Sequence, residues 1–510
     1  MLSKITSAAL VGLDAVPVSV EVDLVKKGFP AFAIVGLADK AVQESKERVR
    51  SALINSQAEF PSYRLTVNLA PAELEKSGAS FDLPLALGIL IATEQLIPNV
   101  DLSDCLFFGE LSLEGQVKPV QGALSFAMMA RAKGFKNVFL PLQNSYEASL
   151  VEDVNIFPVA TLNDLRSHIS SQKLIPQFLE KWQMPLNDQF DLDFADIKGQ
   201  EQAKRMLEIA VAGGHNVFLK GPPGAGKTLL SRSLASIMPA LSTGEMLEIT
   251  RIFSAAGLLN SDNPLVTKRP FRCPHHTVSR MGLVGGGSKI APGEVTLAHR
   301  GVLFLDEFLE LPRSVLEAMR QPLEDGFVQI SRASGSLTYP SRFMLVAAAN
   351  PCPCGFWGSK KKMCQCSPHQ REQYQKRLSG PILDRIDLHL EVGEVEREKV
   401  FDQNIVSEGS KNIRQRIEKA RQIQTNRFKN FGFLTNSEIS AKQIKFFCPL
   451  MPEAEKLLEN AFLKFNLSMR SYHKVLKVGR TIADLEGQDI IDLKQIAESL
   501  QYRFNENYAV

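Results

Sequence analysis

No apolar run in this 510-residue chain is long enough to cross a bilayer; the best, Leu83 to Ala92, is too short and contains Pro84. The start lacks a signal-like core as well. Met1-Leu-Ser-Lys leads into an apolar stretch interrupted by Asp14, so a soluble cytoplasmic protein with no membrane partner is expected. An excess of one charge is missing. Lys+Arg 59 against Asp+Glu 56 leave a net charge of +3, so any nucleic-acid contact has to come from local patches. Seven cysteines, an odd number in a long chain, argue against a disulfide framework. Biased tracts are absent too: 44% apolar and 23% charged residues are ordinary for a globular protein. The length leaves room for about two to four domains.

What is present is a phosphate-binding signature. Gly221-Pro-Pro-Gly-Ala-Gly-Lys-Thr228 follows the apolar run Val217-Phe-Leu and leads into Leu229-Leu-Ser-Arg-Ser-Leu-Ala, which gives strand, glycine loop and helix in order. Gly221, Gly224 and Gly226 let the backbone N–H groups converge on an anion, and the helix N-terminus adds partial positive charge. Lys227 is expected to reach the β- and γ-phosphates of ATP, and the Thr228 hydroxyl to complete a Mg²⁺ shell. Downstream, Gly301-Val-Leu-Phe-Leu-Asp-Glu-Phe308 reads as a buried parallel strand ending in carboxylates. Asp306 is assigned to Mg²⁺ and Glu307 to the attacking water. Phe343 to Asn350 reads as a second buried strand whose terminal amide, Asn350, stands next to Glu307 and senses the γ-phosphate.

Residues 1–170 read as an α/β unit. Val18 to Leu24 and Arg64 to Leu69 are strands, Ala41 to Ala52 an amphipathic helix, and Ser80 to Thr93 a buried one with Ser80 at its start. Leu106 to Leu111, Ala123 to Lys133 and Val138 to Pro141 then alternate strand, helix and strand. The words Asn68-Leu-Ala-Pro, Gly78-Ala-Ser-Phe-Asp-Leu-Pro and Gly115-Gln-Val-Lys-Pro-Val-Gln-Gly resemble the Lon-protease-like domain. In that family's peptidases a serine pairs with a lysine. Here Ser80 falls at the serine and Leu124 at the lysine, and leucine cannot accept a proton, so a substrate-guiding domain is expected rather than a peptidase.

Residues 171–193 read as a linker, 194–393 as the ATPase core and 394–510 as a helical lid. The lid helices are expected at Glu396–Gln403, Lys411–Phe428, Ala441–Phe447, Pro452–Phe465, Ser471–Gly487 and Asp492–Tyr502, with caps such as Ser440 and Asp492. Inside the core lies a glycine-rich insert, Arg272 to Val295, carrying His275, His276, Arg280 and Lys289; such a loop is usually functional or mobile. Phe327–Ile330 and Leu337–Tyr339 read as hairpin arms with Arg332 near the turn. Cys352, Cys354, Cys364 and Cys366 share one short excursion. They read either as a structural Zn²⁺ site, with His369 able to replace one ligand, or as free thiols.

In ring ATPases with this motif order the segment before the first helix packs on adenine, which by resemblance places Asp196 and Ile197 near the base; a corner with no ligand is the other reading. Phosphate loop, insert, acidic strand, hairpin, Asn350-Pro-Cys-Pro-Cys-Gly and Leu378-Ser-Gly-Pro-Ile-Leu-Asp-Arg-Ile-Asp-Leu-His389 together resemble the magnesium-chelatase-related AAA+ ATPases of the ComM (YifB) type. The resemblance covers nearly the whole chain. It implies a P-loop AAA+ α/β core with a C-terminal helical lid, assembled as a homo-hexamer. It also implies ATP-driven branch migration on single-stranded and branched DNA, in recombination and transformation, with recombination proteins as further partners. Lys289, Arg332 and Arg280 become pore contacts for DNA. Arg385 becomes the finger that reaches the neighbour's nucleotide, and Arg470 the second sensor for its own subunit, with Arg480 a competitor. A chelatase-like motor that remodels a partner protein is the alternative.

Overall fold

The computed structural model describes residues 2–26, 29–180, 190–259, 263–287, 291–332, 335–359, 362–377, 380–394 and 407–503. The chain divides into two compact units: residues 1–185 with 242–267 and 331–339, and residues 186–241 with 268–330 and 340–510. Among the described residues no helix is long and apolar enough to cross a membrane.

The first unit begins with a hairpin absent from the sequence reading. Leu2–Val11 pairs antiparallel with Asp14–Val25 through a two-residue turn, where Gly12 takes φ +65. Arg64–Ala70 joins the second strand antiparallel, and Ala31–Val35 joins Arg64–Ala70 in parallel. The helix Asp82–Ala92 lies in one core with this sheet. Its first residue, Asp82, is buried and takes a fork from Arg48 (2.6 and 3.1 Å) and the N–H of Leu111 (3.2 Å). Ser80 lies two residues before that helix, and Phe81 occupies the cap position, so the expected helix start at Ser80 is corrected. Cys105–Phe107, Asn137–Pro141 and Asn155–Val159 form a parallel three-stranded sheet beside the helix Ala123–Lys133.

The helix Thr243–Ala255 belongs to this first unit, although the chain reaches it through residues 186–241 of the second. Leu247 packs in the cluster of Leu124, Phe126 and Ala127. Arg251 donates to the Leu13 carbonyl (2.8 and 3.1 Å) and pairs with Asp14, while the Gly122 N–H donates to the Ser254 carbonyl (3.1 Å).

The second unit is built on a five-stranded parallel sheet. The order is Phe271–Arg272, Val302–Leu305, Met344–Ala349, Val217–Lys220, Leu388–Glu391. All residues of the three middle strands are buried, which suits the continuous apolar runs of a sheet covered on both faces. The phosphate-loop strand lies between the strands that come fourth and fifth in the chain. That is a topological switch point, where ligands bind beyond the carboxyl ends of the strands.

Phe327–Arg332 and Gly335–Pro340 form a separate two-stranded sheet. The lid holds the helices Ser410–Phe428, Pro452–Lys464, Met469–Leu485 and Leu493–Gln501. Asp492 caps the last of these, as expected. The expected helix Ala441–Phe447 shortens to Ile444–Phe447 with Gln443 at its cap; the Ser440 hydroxyl donates to the Gln443 side chain (2.6 Å) and caps nothing. The helix expected at Glu396–Gln403 lies outside the described residues.

Candidate nucleotide site

The strand Val217–Lys220 delivers the loop Gly221–Gly226 to the N-terminus of the helix Lys227–Ile237. Gly221 is required by crowding, because a Cβ there would lie 2.3 Å from the Val392 carbonyl oxygen. Gly226 is required by conformation, with φ +88 and open space around it. Lys227 is buried, and its Nζ donates to the carbonyls of Gly221 (2.6 Å) and Pro222 (3.0 Å) and to Asn350 Oδ1 (3.2 Å). Burial lowers its pKa, and Asp306 pulls the other way. The Thr228 hydroxyl donates to Asp306 Oδ2 (2.8 Å), so both predicted Mg²⁺ ligands stand together. Asp306 Oδ1 accepts the Glu307 N–H (2.9 Å), and Glu307 itself has left-handed backbone at φ +48.

Asn350 follows its strand directly and meets Lys227. The carboxylate of Glu307 is paired instead with His276, Nδ1 to Oε2 at 2.8 Å. Sequence reasoning listed His276 only among the charges of the insert, because 31 positions separate it from its partner.

Asp196 and Ile197 lie at the other flank. Asp196 closes a capping box, its Oδ2 accepting the Asp193 N–H (2.9 Å), and Ile197 is buried in one cluster with Ala225 and Leu230. Gln200, with φ +61, ties this corner to the loop by donating to the carbonyls of Gly393 (2.6 Å) and Ala225 (3.3 Å). In the sequence it reads, with Gly199, as the opening of a helix, and it does stand at the N-cap of Glu201–Gly213.

The two candidate arginines converge on one carboxylate. Arg385 Nε lies 3.1 Å from Glu324 Oε2, and Arg470 Nη2 lies 2.5 Å from Glu324 Oε1. Arg385 sits at the entry to its strand, where its carbonyl accepts from Asn216 Nδ2 (3.4 Å), and Leu388 is in register with Val217. The phosphate loop leaves the far end of the parallel neighbour Val217–Lys220, about 13 Å further on by strand rise. Arg470 therefore shares the Glu324 contact of Arg385. Arg480 drops out as its competitor. It is 1% exposed, pairs with Asp484 and donates to the carbonyls of Gln488 and Asp489, so it holds the lid helix together.

Behind this edge is a buried charge cluster. Asp387 lies 2.8 Å from Lys474 Nζ and 3.5 Å from His215 Nδ1, and accepts the Asn216 N–H (3.0 Å). Burial alone would raise its pKa; Lys474 and His215 more than offset that and hold it well below the usual carboxylate range. Lys474 is pushed down to about 8 by burial, against the pull of Asp387.

The four cysteine sulfurs of the excursion all lie within 4.8 Å of one another, with Cys352 3.4 Å from Cys354 and 3.6 Å from Cys364. A tetrahedral Zn–S₄ centre with bonds near 2.3 Å needs sulfur separations of about 3.8 Å, so the donor set fits that metal. Burial pushes the Cys352 thiol up to about 12, and the N–H groups of Phe356 and Gln365 bring Cys354 down to about 6. His369 is exposed and not part of the cluster. The knot abuts the phosphate loop: a Cβ on Gly355 would lie 2.7 Å from Pro223 Cγ.

Of the expected DNA contacts, Arg280 is exposed at the start of the helix Arg280–Val284. Arg332 ends its strand, and Lys289 lies outside the described residues. Ser80 and Leu124 are 8% and 0% exposed.

Comparison with known proteins gives three family matches in succession along the chain. The family description "Magnesium chelatase, subunit ChlI" matches residues 193–400, "Subunit ChlI of Mg-chelatase" residues 20–144, and "Magnesium chelatase, subunit ChlI C-terminal" residues 407–503. Competence protein ComM of Haemophilus influenzae is 42% identical over 506 residues, covering 98% of this chain and 97% of that protein. The uncharacterised protein YifB of Escherichia coli is 40% identical over 505 residues, covering 98% and 97%. Magnesium-chelatase subunit ChlI of Trieres chinensis is 26% identical over 208 residues, covering 35% and 56%. A full-length match of this identity, joined to a phosphate loop and acidic strand in a parallel sheet, places the chain in the ComM/YifB-type family of magnesium-chelatase-related AAA+ proteins.

Proposed function

We propose that the chain is a subunit of a hexameric Mg²⁺-dependent ATPase that drives movement along single-stranded and branched DNA, migrating junctions during recombination of incoming DNA. The observation that carries the ATPase half is the convergence of Lys227, Thr228, Asp306 and Asn350 at the end of one sheet. Lys227 exchanges its loop carbonyls for phosphate oxygens. Thr228 and Asp306 would hold Mg²⁺, which when bound would neutralise phosphate charge. Glu307 orients water and accepts its proton.

The ring is supported by the position of Arg385 at the strand ends remote from its own phosphate loop and by the Glu324 contact it shares with Arg470. Two guanidiniums on one carboxylate are spaced to take neighbouring phosphate oxygens of an adjacent subunit's nucleotide, and Glu324 keeps them together until then. Zn²⁺ in the four-cysteine knot is structural in this reading, since four thiolates leave no open position. The first unit, read as Lon-like, guides substrate and cleaves nothing.

DNA is supported by the resemblance and by the name of the Haemophilus influenzae relative, a competence protein. The chelatase names in the family matches keep a protein-remodelling motor as the second reading. The shared site is tested by mixing. Lys227→Ala and Arg385→Ala subunits are each expected to hydrolyse ATP poorly, and their mixture to recover a measurable fraction of turnover. Normal turnover by Arg385→Ala alone contradicts the shared site. Labelled branched DNA then reports strand exchange directly.

A further inference from the structure

Arg385 and Arg470 reach Glu324 from different parts of the second unit. One comes from the turn before the strand Leu388–Glu391, the other from the first turn of the helix Met469–Leu485. Two flexible side chains that converge on one anion lose rotamer entropy, and the loss is smaller when the backbones beneath them are already held at the right spacing.

Arg503 supplies such a hold. One arm of its guanidinium, Nη1, donates to the carbonyls of Ile386 (3.1 Å) and Asp387 (3.4 Å), and the other, Nη2, donates to the Ser471 hydroxyl (2.6 Å). Ile386 directly follows Arg385, and Ser471 directly follows Arg470. The fork therefore spans the two backbones at the positions next to the two arginines. Arg503 is delivered there by the residue before it: the helix Leu493–Gln501 ends at Tyr502, which is buried and whose carbonyl accepts the His389 N–H (2.7 Å). Ser471 is held as well, its N–H donating to the Ser468 hydroxyl (3.1 Å) that caps the helix.

A second tie runs beside the first. Lys474, about one turn beyond Arg470, meets Asp387, which follows Arg385 by two positions. Arg503 brings like charge to this neighbourhood and, together with burial, pushes the Lys474 pKa down. Its positive charge is thus unfavourable to Lys474. What the guanidinium contributes is a planar fork that meets acceptors on two elements at once, which a compact ammonium on a flexible stem does not reproduce.

We propose that Arg503 is a positioning residue that sets the spacing of Arg385 and Arg470, so that the two guanidiniums act as one clamp on the phosphate oxygens of the adjacent subunit's nucleotide. Its place is on the lid of one subunit, and its effect falls on the site of the next. This rests on the reading of Arg385 and Arg470 as arginines that act across a subunit boundary.

The test measures Mg-ATP turnover by the full chain carrying Arg503→Gln or Arg503→Lys, with Arg385→Ala as the reference. Both Arg503 variants are expected to lose kcat roughly ten- to hundredfold while KM for ATP stays within about twofold, since the subunit's own phosphate loop is untouched. Ser471→Ala removes the acceptor on the lid side alone and is expected to lower kcat too. The double variant should fall no further than Arg503→Gln, because both changes cut one link. Mixing Arg503→Gln with Lys227→Ala subunits is expected to restore a measurable fraction of turnover, the sound arginines of one serving the sound phosphate loop of the other. A lid that had merely lost its fold gains nothing from such a neighbour, so a loss of kcat that mixing does not restore overturns the proposal. Natural turnover by Arg503→Lys overturns it as well, and so does a double variant in which the two losses multiply. If Arg385→Ala is slow and Arg503→Gln is normal, the cross-subunit reading stands and the proposal alone falls; if Arg385→Ala turns over normally, both fall.

Discussion

A single ammonium at the phosphate loop is shared among two carbonyls and an amide, and that arrangement fixes what its loss does. Lys227 makes its contacts from a buried position, so Lys227→Ala removes both the charge and the tie to Asn350. A lost charge-assisted contact to phosphate weakens ATP binding by roughly 10- to 100-fold. Titration with a fluorescent nucleotide checks this, and an unchanged Kd contradicts it. Asp387 makes a second residue-scale claim. Its depressed pKa means that its contribution is present above the unfolded carboxylate range and is lost as pH falls below about 4. Asp387→Asn leaves Lys474 buried without its counter-charge and is expected to lose about 3–5 kcal/mol in urea denaturation at neutral pH. The same variant should show a flatter loss of stability between pH 5 and 3 than the natural protein. Equal slopes would rule out Asp387 as the source.

Between residues and domains the informative elements are the short ones. The phosphate loop and the acidic strand were legible in sequence because each packs its chemistry into eight consecutive residues, where spacing alone imposes the geometry. Contacts across long separations were not: nothing local marks Glu324 as the meeting point of Arg385 and Arg470, or His276 as the partner of Glu307. The opening strand Leu2–Val11 escaped because its serines and alanines mask the alternation that strand reading depends on. The cysteine excursion was legible as a cluster, but its place against the phosphate loop was not. Gly355 has φ +83, and a Cβ there would lie 2.7 Å from Pro223 Cγ, so Gly355→Ala strains the backbone and pushes on the loop. We expect it to raise KM for ATP several-fold, and stripping Zn²⁺ with a chelator to lower Tm and raise KM in the same direction. Purified protein with no bound zinc and an unaltered KM after chelation would contradict the structural role of the knot.

Taken whole, Arg385 stands at the strand ends opposite to those from which the phosphate loop leaves, and on the proposed reading this favours a ring as the unit of activity. The helix Thr243–Ala255 extends the same logic to domain organisation. A stretch read in sequence as part of the ATPase core packs with residues 1–185, a pairing held by Leu247, Arg251 and Ser254 that no linear boundary could reveal. Overall charge is nearly balanced, so on the proposed reading contact with DNA is local and, being made to phosphates, dependent on salt. The central claim is therefore tested most directly by the steady-state ATPase rate with and without branched DNA at low and high salt, with Glu307→Gln as the blank. The account predicts several-fold stimulation that fades as salt rises. An intact ATPase with no response to DNA at either salt would contradict it and favour a motor that acts on a protein partner.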